Sequence, residues 1–155
     1  MAWSFDLPQT YATIGVMQLV LNYKFPSLND LIGKASYNRF AYAAEKKKLT
    51  QYVADECLIQ GLKRVSGPIA VRFQWQEATK RRDFDNVSGA GQKLILDGLK
   101  LAGVIEDDRQ KYVRYLSHTF SHGKTNRVIV TLDGVPAETA GIDTLELPSV
   151  DSPLD

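Results

Sequence analysis

Ile69-Ala70-Val71-Arg72-Phe73-Gln74-Trp75-Gln76 places Ile69, Val71, Phe73 and Trp75 on one side and Ala70, Arg72, Gln74 and Gln76 on the other. That period of two marks a β-strand with one buried face. Downstream, Lys93-Leu94-Ile95-Leu96-Asp97-Gly98-Leu99 changes the period. Ile95, Leu96, Leu99 and Ala102 form one apolar face of a helix, and Gly103 is placed to stop it. The segment Tyr112 to Phe120 then alternates again. Strand, helix and strand in succession set the class: α+β, with helices packed on a mixed sheet.

Outward from this centre the remaining elements follow. Gly67-Pro68 punctuates the chain before the first strand quoted. Ser36 is a candidate N-cap for a helix running to about Lys63, with Tyr42, Leu49, Val53 and Cys57 as its apolar stripe. Lys46-Lys47-Lys48 reads as the solvated face of that helix. Lys24 to Gly33, with Pro26, Ser27, Asn29 and Gly33, reads as a loop, and residues 12–23 as a mostly buried strand. Arg127 to Leu132 alternates, and with residues 112–120 it predicts a hairpin joined by Ser121-His122-Gly123-Lys124. The expected order is β-α-β-α-β-β, a small mixed sheet with two main helices.

The chain's 155 residues suit one domain, and 44% apolar residues exclude a wholly disordered chain. The longest apolar stretch, Thr13 to Leu21, is polar-interrupted and about half the ~20 residues of a membrane span, so no membrane role is expected. No basic n-region with an apolar run and cleavage site opens the chain. Cys57, the single cysteine, cannot form an internal disulfide, and a cytoplasmic setting is expected.

All 19 Lys and Arg lie at or before Arg127, while five of the 18 acids (Glu138, Asp143, Glu146, Asp151 and Asp155) lie beyond residue 136. Residues 1–136 therefore carry a net +6 as the domain body, and 137–155 form an acidic tail expected to hang loose. A basic body permits an anionic partner such as nucleic acid, although surface lysines alone give the same sum.

Four acids stand where the chain changes direction. Asp83 and Asp85 lie between a strand and a helix, Asp107 and Asp108 between that helix and the next strand. Grouped carboxylates repel unless a cation is shared, and Mg²⁺ prefers such hard oxygen ligands. Two simpler readings stand beside this one. Asp85 or Asn86 can cap the helix, and Asp107-Asp108 can be a polar turn. Acids at the start of a helix and just past its end meet only if loops fold over or a second subunit intervenes.

Three motifs fail on inspection. Asp83-Phe84-Asp85-Asn86-Val87 fits a haloacid-dehalogenase nucleophile pattern, but Thr79 to Arg82 precede it instead of an apolar strand. An EF-hand loop is excluded by Val87 and Leu94 at ligand positions, and a phosphate loop by the missing Gly-Lys-Ser/Thr.

Arg81-Arg82-Asp83-Phe84-Asp85-Asn86, then Gln92 to Leu99, then Ala102-Gly103-Val104-Ile105-Glu106-Asp107-Asp108 resembles the RusA family of Holliday junction resolvases. Pro26-Ser27-Leu28-Asn29 is similar to the Pro-Ser-x-Asn loop of that family. The resemblance implies a small, homodimeric, Mg²⁺-dependent endonuclease of bacteria, phages or prophages that cuts four-way DNA junctions in recombination and repair, without an organic cofactor. It makes Asp83, Asp85 and Asp108 the metal-binding acids, with Asp107 a helper and Lys93 the essential lysine. Lys93 fits when counted back from Asp108 but comes one turn late counted from Asp85. Ser88-Gly89-Ala90-Gly91 is the expected insertion, a looser connection before the regular helix.

Lys80, Arg81 and Arg82 are candidate grips for flanking phosphates, or simply an exposed loop. A non-cleaving binder of branched DNA and a nuclease of broader branched or flap specificity remain as alternatives. His118 and His122 lack a Cys or third His for a metal site, leaving phosphate contact open. Phe73 and Trp75 read as core, Asp97 as an i, i+4 partner of Lys93, and Cys57 as a small buried residue.

Overall fold

A computed structural model describes residues 16–135, so the acidic tail and part of the expected strand over 12–23 lie outside the described residues. The strand quoted first becomes β2 (Ile69–Glu77), with Ile69, Val71, Phe73, Trp75 and Glu77 buried in alternation. With β1 (Met17–Leu21), β3 (Val113–His122) and β4 (Arg127–Gly134) it forms a mixed four-stranded sheet in the order β1-β4-β2-β3. β4 runs antiparallel to both β1 and β2, whereas β3 is parallel to β2.

Three helices complete the α+β fold, not the two expected: α1 (Leu28–Tyr37), α2 (Arg39–Ile59) and α3 (Phe84–Leu101). The buried faces of α2 and α3 (Leu49, Val53, Cys57, Leu94, Ile95 and Leu99) join Leu19, Leu21, Val71, Phe73, Val130 and Leu132 of the sheet in one core. The stripe read for α2 holds: Leu49, Val53 and Cys57 are buried. Burial also pushes the Cys57 thiol up to about 11, which suits an inert packed side chain.

Four local expectations are corrected. Residues 28–33 are helix, not loop, because Ser27 and Asp30 close a reciprocal capping box. Ser27 Oγ accepts from the Asp30 amide at 3.1 Å and Asp30 Oδ2 accepts from the Ser27 amide at 2.9 Å. Those hydrogen bonds hold the Asp30 carboxyl below its ordinary value, the backbone one most strongly. The cap of α2 is Asn38, not Ser36; Asn38 Oδ1 accepts from the amides of Phe40 and Ala41. Ser36 sits inside α1 with its hydroxyl on the Ile32 carbonyl, and α2 stops at Ile59, short of Lys63.

The third correction concerns 112–120 and 127–132, which form strands but no hairpin. β3 and β4 flank β2 on opposite sides. The connection between them steps over the end of β2 and is tied to it: the Gly123 amide donates to the Glu77 carbonyl, and Gln76 Nε2 donates to the Thr125 carbonyl. A Cβ on Gly123 would lie 2.2 Å from Gln76 Nε2, so any larger residue there would push the Gln76 side chain aside.

Ser88-Gly89-Ala90-Gly91 is the fourth, being regular helix within α3 and not a looser connection. Its small residues serve close packing. A Cβ on Gly91 would meet the Trp75 ring at 2.4 Å, and one on Gly98, two turns on, would meet Val53 at the same distance. Gly91 therefore sets α3 against the sheet and Gly98 sets it against α2. As expected, Gly103 ends the helix, with φ +75° and its amide on the Lys100 carbonyl. Among the described residues no helix is long and apolar enough to cross a membrane.

Candidate metal and nucleic-acid site

α3 separates the acids that the sequence singles out. Its N-cap residue is Asp83, whose backbone is extended and whose side chain makes no capping hydrogen bond. Asp85 lies in the first turn, with Oδ1 accepting from the Asn86 amide at 3.0 Å. Both side chains are exposed, and neither has an ion pair among the described residues. Free amides at a helix start carry partial positive charge, which favours carboxylates there without neutralising them.

Lys93 stands more than two turns further on, about 12 Å from Asp85 along the axis at 1.5 Å per residue. Its Nζ lies 2.9 Å from Asp108 Oδ2 and 3.0 Å from Asp97 Oδ1. Those two contacts, Asp108 first, hold its ammonium above the ordinary lysine value. The spacing Lys93, Asp97, Lys100 is one helix face, so Lys100 also reaches the acids, at 3.5 Å from Asp107 and 3.8 Å from Asp108. Arg109 pairs with Asp107 from the other side. The Asp107 carboxyl is lowered to about 2, chiefly because its oxygen accepts from the Asp108 amide and then because Arg109 is beside it.

The structure thus brings Lys93, Asp107 and Asp108 together and leaves Asp83 and Asp85 at the other end of α3. Among the described residues no three His, Cys, Asp or Glu side chains gather closely enough to hold a metal ion. The donor chemistry still differs between the ends. Asp83 and Asp85 are two hard, exposed oxygen ligands free of cations, and Mg²⁺ is commonly held by one or two carboxylates with waters and substrate phosphate. They fit that ion. Asp107 and Asp108 are already compensated.

Lys80 and Arg81 are exposed on the connector before α3. Arg82 is committed to the fold: Nη1 donates to the Phe25 carbonyl at 2.7 Å and Nη2 pairs with Glu77. Spacing alone does not reveal that role, because it depends on the chain passing near Arg82 at Phe25.

His118 has a definite state. Trp75 Nε1 can only donate, so His118 Nδ1 accepts its hydrogen bond at 2.9 Å, and Nε2–H donates to Gln92 Oε1 at 2.7 Å. The ring also stacks on Phe73 at 4.9 Å between centroids. Burial lowers its pKa, in keeping with a neutral imidazole linking β2, β3 and α3.

No protein-family model matches the chain, and no curated protein matches it.

Proposed function

We propose that the chain is a RusA-like, structure-selective endodeoxyribonuclease that resolves four-way DNA junctions by paired symmetrical nicks. The observation that carries this reading is the uncompensated pair Asp83 and Asp85 at the start of α3, next to the exposed cations Lys80 and Arg81. Asp83 and Asp85 would hold Mg²⁺, which would supply an activated water and neutralise charge developing on the phosphate. Lys80 and Arg81 grip flanking phosphates and position the strand without reading its bases. Lys93, which pairs with Asp108, would bring a fixed positive charge to the scissile phosphate or its leaving oxygen only together with that acid.

Asp108, with Asp107 beside it, is the further ligand that the resemblance implies. Within one chain Lys93 and Lys100 hold Asp108, so its union with Asp83 and Asp85 calls for loop movement or the second subunit of a homodimer. A twofold dimer also supplies the two cuts that symmetrical resolution needs. The reading places the protein in the cytoplasm of a bacterial or phage-infected cell.

The test is cleavage of a labelled synthetic four-way junction, with and without Mg²⁺, beside linear duplex of the same sequence. Paired nicks in the junction alone, absent without metal, support the reading. The separation of the acids by α3 favours a second reading, a protein that binds branched DNA without cutting it. Binding with no nicks under any divalent cation would replace the first reading with that one.

A further inference from the structure

Between α1, α2 and α3 runs a groove of about 210 Å³ whose lining includes Leu28, Leu31, Ile32, Leu94, Lys46 and Lys93. On α1, Leu28, Leu31, Ile32 and Ala35 recur at i, i+3, i+4 and i+7, a single apolar stripe. Such a stripe is normally covered, yet only Leu31 is buried; Leu28 is 44% exposed and Ile32 55%. The volume falls below the ~300 Å³ at which pockets for whole small molecules begin, and it suits side chains of a peptide. Charge narrows the choice. Among the described residues the charged lining is Lys46 and Lys93, and Lys46 has no ion pair. An aliphatic segment carrying acids matches both properties.

The chain carries such a segment. Residues 136–155 follow the described part, which ends where the Val135 amide meets the Pro68 carbonyl. They hold five acids and no base, and Ile142-Asp143-Thr144-Leu145-Glu146-Leu147 intersperses aliphatic residues with acids. The ten residues from Pro136 to Leu145 span up to ~33 Å when extended, against a radius of gyration of ~13 Å for a body of about 100 residues. We propose that Ile142 to Leu147 docks in this groove of its own chain, with Leu145 and Leu147 against Leu28 and Ile32 and Glu146 facing Lys46. Weak contacts suffice, because a short flexible tether gives an effective concentration in the millimolar range. Docking itself does not rest on the nuclease reading; its consequence does. A seated acidic segment occupies Lys46 and adds negative charge beside Lys93, so DNA phosphates must displace it.

The test is paramagnetic broadening of amide signals in the full chain. Ser149→Cys carries a nitroxide, and the buried Cys57 thiol stays unlabelled. Signals of Ile32, Ala35 and Lys46 should fall to about half or less of those with the label reduced, as expected of a tethered segment that is mostly docked. The loss should not depend on protein concentration. Leu145→Ser with Leu147→Ser, which leaves the described body untouched, should restore the signals, as should Ile32→Glu at an exposed helix position. Broadening that misses α1, survives both sets of substitutions or fades on dilution overturns the inference, the last by assigning the groove to a second copy. In EDTA the double variant should bind the four-way junction severalfold tighter, and unchanged affinity overturns the competition with DNA. Junction cleavage without the broadening would remove the docking and keep the nuclease. Broadening without junction cleavage would do the reverse.

Discussion

At the N-terminal end of α3, Asp83 and Asp85 stand in solvent with no cation against them among the described residues. Beyond its C-terminal end, Asp107 and Asp108 are met by Lys93, Lys100 and Arg109. The same residue type on one helix is left open at one end and closed at the other. An acid pair ringed by lysines has its charge answered within the chain. An unanswered pair retains the repulsion that a bound cation would relieve. The helix dipole sharpens the contrast, because Lys100 lies in the last turn, where cations are favoured, and the open acids at the start, where anions are.

The largest break in that comparison should come from Asp85→Asn. Junction cleavage in Mg²⁺ should fall by on the order of 10³-fold, as when a main electrostatic contributor is lost. The melting temperature should barely move, since Asp85 is exposed and holds only a neighbouring amide. A variant that cleaves normally would end the assignment of the open end as the metal site.

Gly91→Ala tests what holds the two ends in place. Its Cβ would have to displace the Trp75 ring, and overpacking of this kind costs about 1–3 kcal/mol in denaturant unfolding. An unchanged unfolding midpoint would mean that α3 is not seated on the sheet in this way.

His118 gives a pH-dependent probe. Its pKa is lowered in the fold, so the unfolded chain binds the proton more readily. The contribution is fully present above the ordinary histidine value near 6.5 and is lost as pH falls through that value toward the depressed folded one. Urea midpoints between pH 8 and pH 5 should therefore decline in the wild type, with His118→Gln showing a flatter profile. Asp107 behaves likewise at lower pH: its contribution is present above about 4 and lost as pH falls through about 2. Acid titration of Asp107→Asn should show that portion missing.

The smallest effect on stability is expected from Lys93→Met. The pair with Asp108 is solvent-screened, with the lysine side chain 55% exposed, so stability should change by less than about 1 kcal/mol. A larger loss would mean that the closed end is a structural clamp.

The period of two in residues 69–76 and the apolar face of 95–102 were legible because each is a local pattern that core packing enforces. The Lys93–Asp97 pair was legible for the same reason, being one helical turn apart. What failed was less local. A short polar connector between two alternating segments normally means a hairpin, and nothing in Ser121 to Lys124 says that β2 lies between them. The helix beginning at Leu28 was hidden because Ser27, Asn29 and Gly33 are turn formers. Its signal, Ser27 followed three residues later by Asp30, was present and unused. Lys100 was findable at i+7 from Lys93. The compensation of Asp107 and Asp108 needed the loop's path, which spacing does not encode.

The strand order also sets a schedule for folding. β1 meets the sheet only through β4, with Met17 paired to Leu132, so the first described strand has no backbone partner until the last one exists. β2, α3 and β3 can assemble earlier through nearer contacts, as a growing chain emerges. Closure then awaits the final strand sliding between β1 and β2, a long-range pairing of the kind that slows folding. Until that moment the edges of β1 and β2 lie open together, and a second nascent chain could offer its own β4 to either.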